Sequence, residues 1–175
     1  LAEAMAQKRF AHIAAQYSKA AALTRNIVLS DRPTVYGGSL WRDTWHVSGG
    51  KSYVAQLITA AGGRYLWSDN ESRQSLPLDF EAVYAKAYDA DFWITTRNEW
   101  HDLPGVVAAD ERYGDFAAFK NSQVYNANAR LSAQGGNDYW ESAIVEPHLV
   151  LADYIKILHP NMLPDHALKY YKRLD

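Results

Sequence analysis

Apolar residues recur at three- and four-residue spacing from Phe10 through Ile13, Tyr17, Ala20 and Leu23 to Ile27, with Lys8, Arg9, Lys19 and Arg25 among the polar positions. That spacing gathers them on one helical face and predicts a single long helix over residues 1–28. Alanine is abundant there and neither Gly nor Pro interrupts, both favouring helix. Ser30-Asp31-Arg32-Pro33 ends it. Short apolar runs then alternate with helical patterns. Thr34-Val35-Tyr36 predicts a strand, followed by an aromatic loop and a helix from about Ser52 to Ala61, closed by Gly62-Gly63. Tyr65-Leu66-Trp67 predicts a further strand. Leu78-Asp79-Phe80 opens a helix to about Tyr88, Phe92-Trp93-Ile94-Thr95 is a strand, Asp110 to Phe119 a helix, and Val124-Tyr125 the last strand. A polar loop leads to a helix from Asp138, restarted or kinked at Pro147. A short final helix follows Pro164, a residue suited to a first helical position.

Strands alternating with helices predict an α/β fold: a three-layer, Rossmann-like lobe over residues 29–175 with a mainly parallel central sheet, preceded by the long helix. The 175 residues suit one domain, and at 48% hydrophobic and 22% charged they argue against disorder and membrane spanning. A net charge of -2 supplies no field for a polyanion, so nucleic acid is not an expected partner. The chain has no cysteine, which removes disulfides, thiol catalysis and zinc thiolates. Its first residues, Leu1-Ala2-Glu3-Ala4-Met5, are helical in composition without a cap. They read as a fragment cut inside a helix, with any targeting signal upstream.

In open α/β sheets ligands bind beyond the carboxyl ends of the strands. Here those ends carry Trp41, Arg42, Trp45 and His46 after the first strand, Arg97, Trp100 and His101 after Thr95, and Arg130, Asn137, Tyr139 and Trp140 after Tyr125. Arginine forks beside tryptophan faces suit a large, flat or greasy ligand bearing negative charge. The alternative is that the tryptophans plug the core and the arginines pair with Asp43, Glu99 or Asp138. No HExxH, nucleophile elbow or phosphate loop is present. Gly49-Gly50-Lys51-Ser52 echoes the end of a phosphate loop, but Trp45 stands where that motif needs its leading glycine; a loop-to-helix turn capped near Ser52 fits better. His46 and His101 lie on adjacent loops, yet six scattered histidines assemble no converging ligand set, so no metal site and no cofactor is assigned.

With these landmarks placed, nearly the whole chain resembles the C-terminal lobe of the ABC-transporter substrate-binding proteins for iron-siderophore, haem and cobalamin uptake. The resemblance runs through Ile13, Ala14 and Tyr17, Arg32-Pro33-Thr34-Val35, Trp45, Gly49-Gly50-Lys51-Ser52-Tyr53 and Ala60-Ala61-Gly62-Gly63. It continues through Asp79-Phe80-Glu81-Ala82-Val83, Ala90-Asp91-Phe92-Trp93-Ile94, Leu158-His159-Pro160 and Tyr170-Tyr171. It implies two α/β lobes joined by a rigid helix, here residues 1–28, with the N-terminal lobe outside this chain and the ligand held between lobes. It also implies a ligand face formed by Trp41, Arg42, Trp45, Arg97, Trp100 and Arg130, and a surface glutamate, Glu81, that docks on arginines of the membrane permease. A glutamate in a helix's first turn is equally favoured by the helix dipole, with Asp79 as cap. The implied protein is a non-enzymatic, periplasmic or extracytoplasmic lipid-anchored solute binder for a metal chelate or tetrapyrrole. Two other readings stand beside it: an α/β enzyme half-domain, and a self-associating module presenting Trp41, Trp45 and Trp100 as an apolar patch.

Overall fold

In the computed structural model, which describes residues 2–175, the N-terminal periodicity becomes α1 (Ala2–Thr24). It lies along a later helix, α6 (Pro147–Leu158), through its C-terminal half, where Tyr17, Ala20 and Ala21 meet the core. The buried Thr24 hydroxyl donates to the Ala60 carbonyl at 2.5 Å and ties down the helix end. The apolar stripe is not covered throughout: Phe10 is 74% exposed, and Met5 and Leu23 are also exposed.

The central sheet is built from β1 (Thr34–Gly37), β4 (Arg64–Tyr65), β6 (Phe92–Thr95), β7 (Val124–Asn126) and β8 (Lys172–Arg173), in the order β4-β1-β6-β7-β8. All pairings are parallel except that of β7 with β8. This is the mainly parallel α/β lobe that the alternation predicts, with an additional antiparallel edge. Register places Tyr36 beside Trp93 and Gly37 beside Ile94. Tyr36 and Trp93 stack at 5.4 Å between ring centres. Phe116 joins them, 5.2 Å from Tyr36, and Trp45 lies 5.7 Å from Trp93. The opposite layer comprises α2 (Tyr53–Ala60), which packs on α6, and α6 itself.

The expected aromatic loop is instead a hairpin. Strands β2 (Leu40–Trp41) and β3 (Thr44–Ser48) pair antiparallel, and β5 (Ser75–Leu78) adds to the far side of β3. Trp45 and Val47 are buried while His46 points out, the two-residue period of a half-covered strand. The turn between Trp41 and Thr44 has two residues, and Arg42 takes a φ of 55° there, the left-handed conformation that tight hairpins require.

Side-chain caps explain most helix starts. Ser52 Oγ accepts from the Ala55 amide at 3.2 Å to begin α2, and Asp79 Oδ1 accepts from Ala82 at 2.6 Å to begin α3 (Phe80–Ala87). Asp102 Oδ1 accepts from Gly105 at 2.8 Å and, with Pro104 in the first turn, starts α4 (Leu103–Ala109), a helix the periodicity does not announce. The helix expected over 110–119 is a 3-10 turn, Glu111–Asp115, followed by the single turn of α5 (Ala117–Lys120). Asp110 diverts the chain by accepting both the Arg112 amide, at 3.0 Å, and its guanidinium. The helix expected from Asp138 is one 3-10 turn, Asp138–Trp140, and the regular helix begins at Pro147.

No helix follows Pro164. Asp153, fully buried on α6, accepts the backbone amides of Lys169 (2.9 Å), Tyr170 (2.7 Å) and Tyr171 (3.3 Å), and its Oδ1 lies 2.7 Å from His166 Nε2. Amides committed to that carboxylate are not free to build helical bonds, and the segment runs extended into β8. Replacing Asp153 with Ala leaves these buried donors unpaired and is expected to cost about 3 kcal/mol in urea unfolding. A loss under about 1 kcal/mol would show that packing of Tyr170 and Tyr171 alone holds the segment.

Candidate functional site

The carboxyl end of β1 is set by Gly37 and Gly38. Gly38 has φ of 79°, and a side chain there would run into the His46 carbonyl, so the position requires glycine. The two glycine carbonyls are each taken by an indole: Trp45 Nε1 donates to Gly37 O at 3.0 Å, and Trp93 Nε1 to Gly38 O at 2.9 Å. Trp45 is therefore a fully buried clamp between hairpin and sheet, not a ligand-facing ring.

Arg97 follows β6. Asn126, wholly buried at the end of β7, accepts the Arg97 amide at 2.9 Å and donates to the Arg97 and Trp100 carbonyls at 2.6 and 2.8 Å. Asn128 donates to the same Trp100 carbonyl at 2.8 Å, and Asn137 donates to Asn98 Oδ1 at 2.8 Å and to the Ala127 carbonyl at 2.7 Å. Three buried amides thus hold the 97–100 turn rigid. The Arg97 guanidinium lies 5.9 Å from the Trp41 ring centre and 5.7 Å from that of Trp100, within cation–π range of both. One terminal nitrogen meets Glu99 Oε1 at 2.5 Å, while the buried Nε has no partner. Trp41 is 60% exposed; Trp100 is 2% exposed and packs edge-on against Trp93. Trp100 therefore backs the arginine from within the core.

The remaining expected residues are dispersed. Arg42 is exposed at the hairpin turn. Arg130 is bound to Asp138 at 2.6 Å, a contact that lowers the carboxyl pKa of Asp138 through the hydrogen bond, in a shallow groove with Leu131 and Ser132. The pairings with Glu99 and Asp138 are the ones foreseen as alternatives to ligand contact. Burial of Trp45 and Trp100 reduces the expected three-tryptophan patch to Trp41. Glu81 stands in the first turn of α3 with its side chain 79% exposed, 4.0 Å from an Arg112 whose main partner is Asp110. Among the described residues no three His, Asp or Glu side chains are grouped to hold a metal.

A second feature had no counterpart in the sequence reading. On the α2–α6 side of the sheet, beyond Gly37, Ile94 and Thr95, lies a cleft of about 320 Å³. Val54 and Ile58 of α2, Val150 and Tyr154 of α6, and Tyr139 and Ala143 form its walls, with His46, Tyr53, Trp140 and Ile144 also contributing. Its phenols are held protonated by burial: the Tyr53 pKa is pushed up to about 12, and those of Tyr65, Tyr154 and Tyr171 are also raised. A pair of small residues at a strand end and an abundance of tyrosine were the available signals, but neither fixes a cavity from sequence.

Residues 2–131 match the sequence profile of the family described as periplasmic binding protein. An uncharacterized lipoprotein of Methanocaldococcus jannaschii is 26% identical over 133 residues, covering 72% of this chain and 28% of that protein. The fold is shared with the molybdate-bound binding protein MolA of Haemophilus influenzae (TM-score 0.68, 15% identity, 93% of this chain and 46% of that one). It is shared also with Helicobacter pylori CeuE with Ni(II) bound (TM-score 0.65, 13% identity, 93% and 48%) and with the TroA-like FepB of Veillonella parvula (TM-score 0.63, 16% identity, 94% and 56%). The chain spans about half the length of these solved structures and 28% and 36% of the two curated relatives it matches. The profile match across most of its length means that this chain belongs to the periplasmic binding protein family, a family of binders and not of enzymes.

Proposed function

We propose that this chain is the C-terminal lobe of a solute-binding protein that serves an ABC importer outside the cytoplasm, with α1 as the helix linking it to an N-terminal lobe. The ligand is an iron-siderophore, haem or cobalamin type of molecule, captured between lobes and passed to a membrane permease. The observation that carries this reading is Arg97, held between Trp41 and Trp100 on a turn braced by Asn126 and Asn128. Such a preorganised cation with an aromatic wall suits an anionic, flat ligand. Of the residues first expected at this face, Trp41 and Arg42 remain as direct contacts, Arg97 as a cation shared with Glu99, and Arg130 as a separate cation that must first leave Asp138. Trp45 and Trp100 act from beneath. Glu81 is proposed as the permease contact; its exposure supports this. The likeness to a lipoprotein supports an extracytoplasmic setting, and no helix among the described residues is long and apolar enough to cross a membrane.

Replacing Trp41 with Ala in the complete protein is expected to weaken binding of the cognate chelate or tetrapyrrole about tenfold, with a stability change under about 0.5 kcal/mol because the ring is exposed. Calorimetric titration against ferric siderophores, haem and cobalamin checks this, and unchanged affinity for the ligand that binds would remove the rim from the site. Glu81→Lys is expected to leave that affinity unchanged and to cut uptake in cells about tenfold or more. Uptake at the parental rate would defeat the docking role.

A further inference from the structure

The contact of α1 with the rest of the lobe ends at a pair of histidines. Residues 2–12 of α1 are exposed; cover begins at Ile13 and recurs at Tyr17, Ala20 and Thr24. The seated half lies along α6. At one end of this contact Thr24 and His159 both border Gly62. At the other, His12 lies close enough to His148, the second residue of α6, for the charge of one to act on the other. The two helices therefore run side by side in the same direction, and α1 leaves the lobe at His12.

His148 is poorly placed to carry a proton. Its Nδ1 is buried without a partner, so an imidazolium there would bury a charged donor with nothing to receive it. It stands in the first turn of a helix, where the dipole disfavours a cation. The neighbouring carboxylate, Glu146, is already taken by Lys169 Nζ at 2.5 Å and by the Tyr170 hydroxyl at 2.8 Å. Burial lowers the His148 pKa below its ordinary 6.5 against the pull of Glu146, and the positive charges of His12 and Lys169 act in the same direction as burial. The other ionisable groups of this corner keep their charge state near neutrality. The hydrogen bond between Glu146 and Lys169 lowers the pKa of the acid and raises that of the base, and burial raises those of Tyr17, Tyr53 and Tyr170. That leaves the imidazoles to respond across roughly pH 5 to 8.

We propose that His12 and His148 form a proton-sensitive clasp on α1: at neutral pH the helix is seated on α6 from Ile13 onward, and in acid its first seated turns come away. Unseating frees His148 to take up a proton, so it is favoured as pH falls below 6.5, and seating is at full strength above that value. The further consequence, that α1 holds two lobes more stiffly at neutral pH than in acid, rests on the reading of α1 as a linking helix; the clasp itself is tested on this chain alone.

The test follows isotopically labelled full chain by NMR. Protection of the Ile13 to Tyr17 amides, corrected for the intrinsic pH dependence of exchange, is expected to fall about threefold between about pH 7.5 and about pH 5.5, with the His148 ring titrating below 6.5. His12→Gln removes the facing charge and is expected to raise the His148 midpoint toward 6.5. His148→Gln is expected to abolish the pH dependence of protection. Should that variant not fold, the parent chain and His12→Gln, a change at an exposed residue, decide together. Equal protection of Ile13 to Tyr17 at both pH values, a pH dependence retained by His148→Gln, or a His148 midpoint untouched by His12→Gln would each overturn the proposal.

Discussion

Two indole N–H groups donated to consecutive backbone carbonyls hold the working end of this molecule in shape. Trp45, from the hairpin, takes the Gly37 carbonyl, and Trp93, from the neighbouring strand, takes that of Gly38. A glycine pair ending a strand would ordinarily be its most pliable point. Here both carbonyls are pinned by rings that are themselves fully buried against Tyr36 and Phe116. The hairpin that carries Trp41 and Arg42 is thereby fastened to the sheet, and the same glycine pair borders the cleft on the opposite side. Rim and cleft share one anchored segment.

The polar architecture follows a related logic. The turn bearing Arg97 has little apolar anchorage apart from Trp100, and it is supported by side-chain amides from the chain after β7. Amide hydrogen bonds are directional, so they fix the backbone from which the Arg97 side chain projects. At this end of the sheet charge is kept at the periphery, where Arg97 meets Glu99 and Arg130 meets Asp138. The cleft is left neutral. The carboxyl end of the sheet thus carries paired charges at its edge and an apolar cleft beside them.

Much of the fold could be read from periodicity and caps. Ser52 and Asp79 announce α2 and α3, and the apolar runs at 34–36 and 92–95 announce the central strands, because propensity and tertiary packing agree there. Where they disagree, side chains from elsewhere decide. The amides of Lys169 to Tyr171 bond to Asp153 instead of forming a helix after Pro164, and Asp110 holds Arg112 out of regular helix. The hairpin shows a different failure. Trp45-in, His46-out and Val47-in is plain strand alternation, but a short β2 and a distant β5 partner are not visible in local sequence. Of the expected ligand face, Trp41 and Arg97 are brought together, whereas Trp45 and Trp100 turn inward. Nothing in residue type separates an exposed tryptophan from a buried one. The asparagine scaffold was equally hidden, since Asn126 and Asn128 acquire their role only through partners about 30 residues away.

Hydrogen exchange at the indole nitrogens, resolved by NMR for each tryptophan, tests the clamp most directly. Protection reports the opening free energy of the bond that each N–H makes. The Trp45 and Trp93 indoles are expected to exchange only through global opening, slower than those of exposed Trp41 and Trp140 by about a thousandfold or more. A Trp45 indole exchanging as fast as that of Trp41 would contradict the account, because the hairpin would then not be fastened to the end of β1.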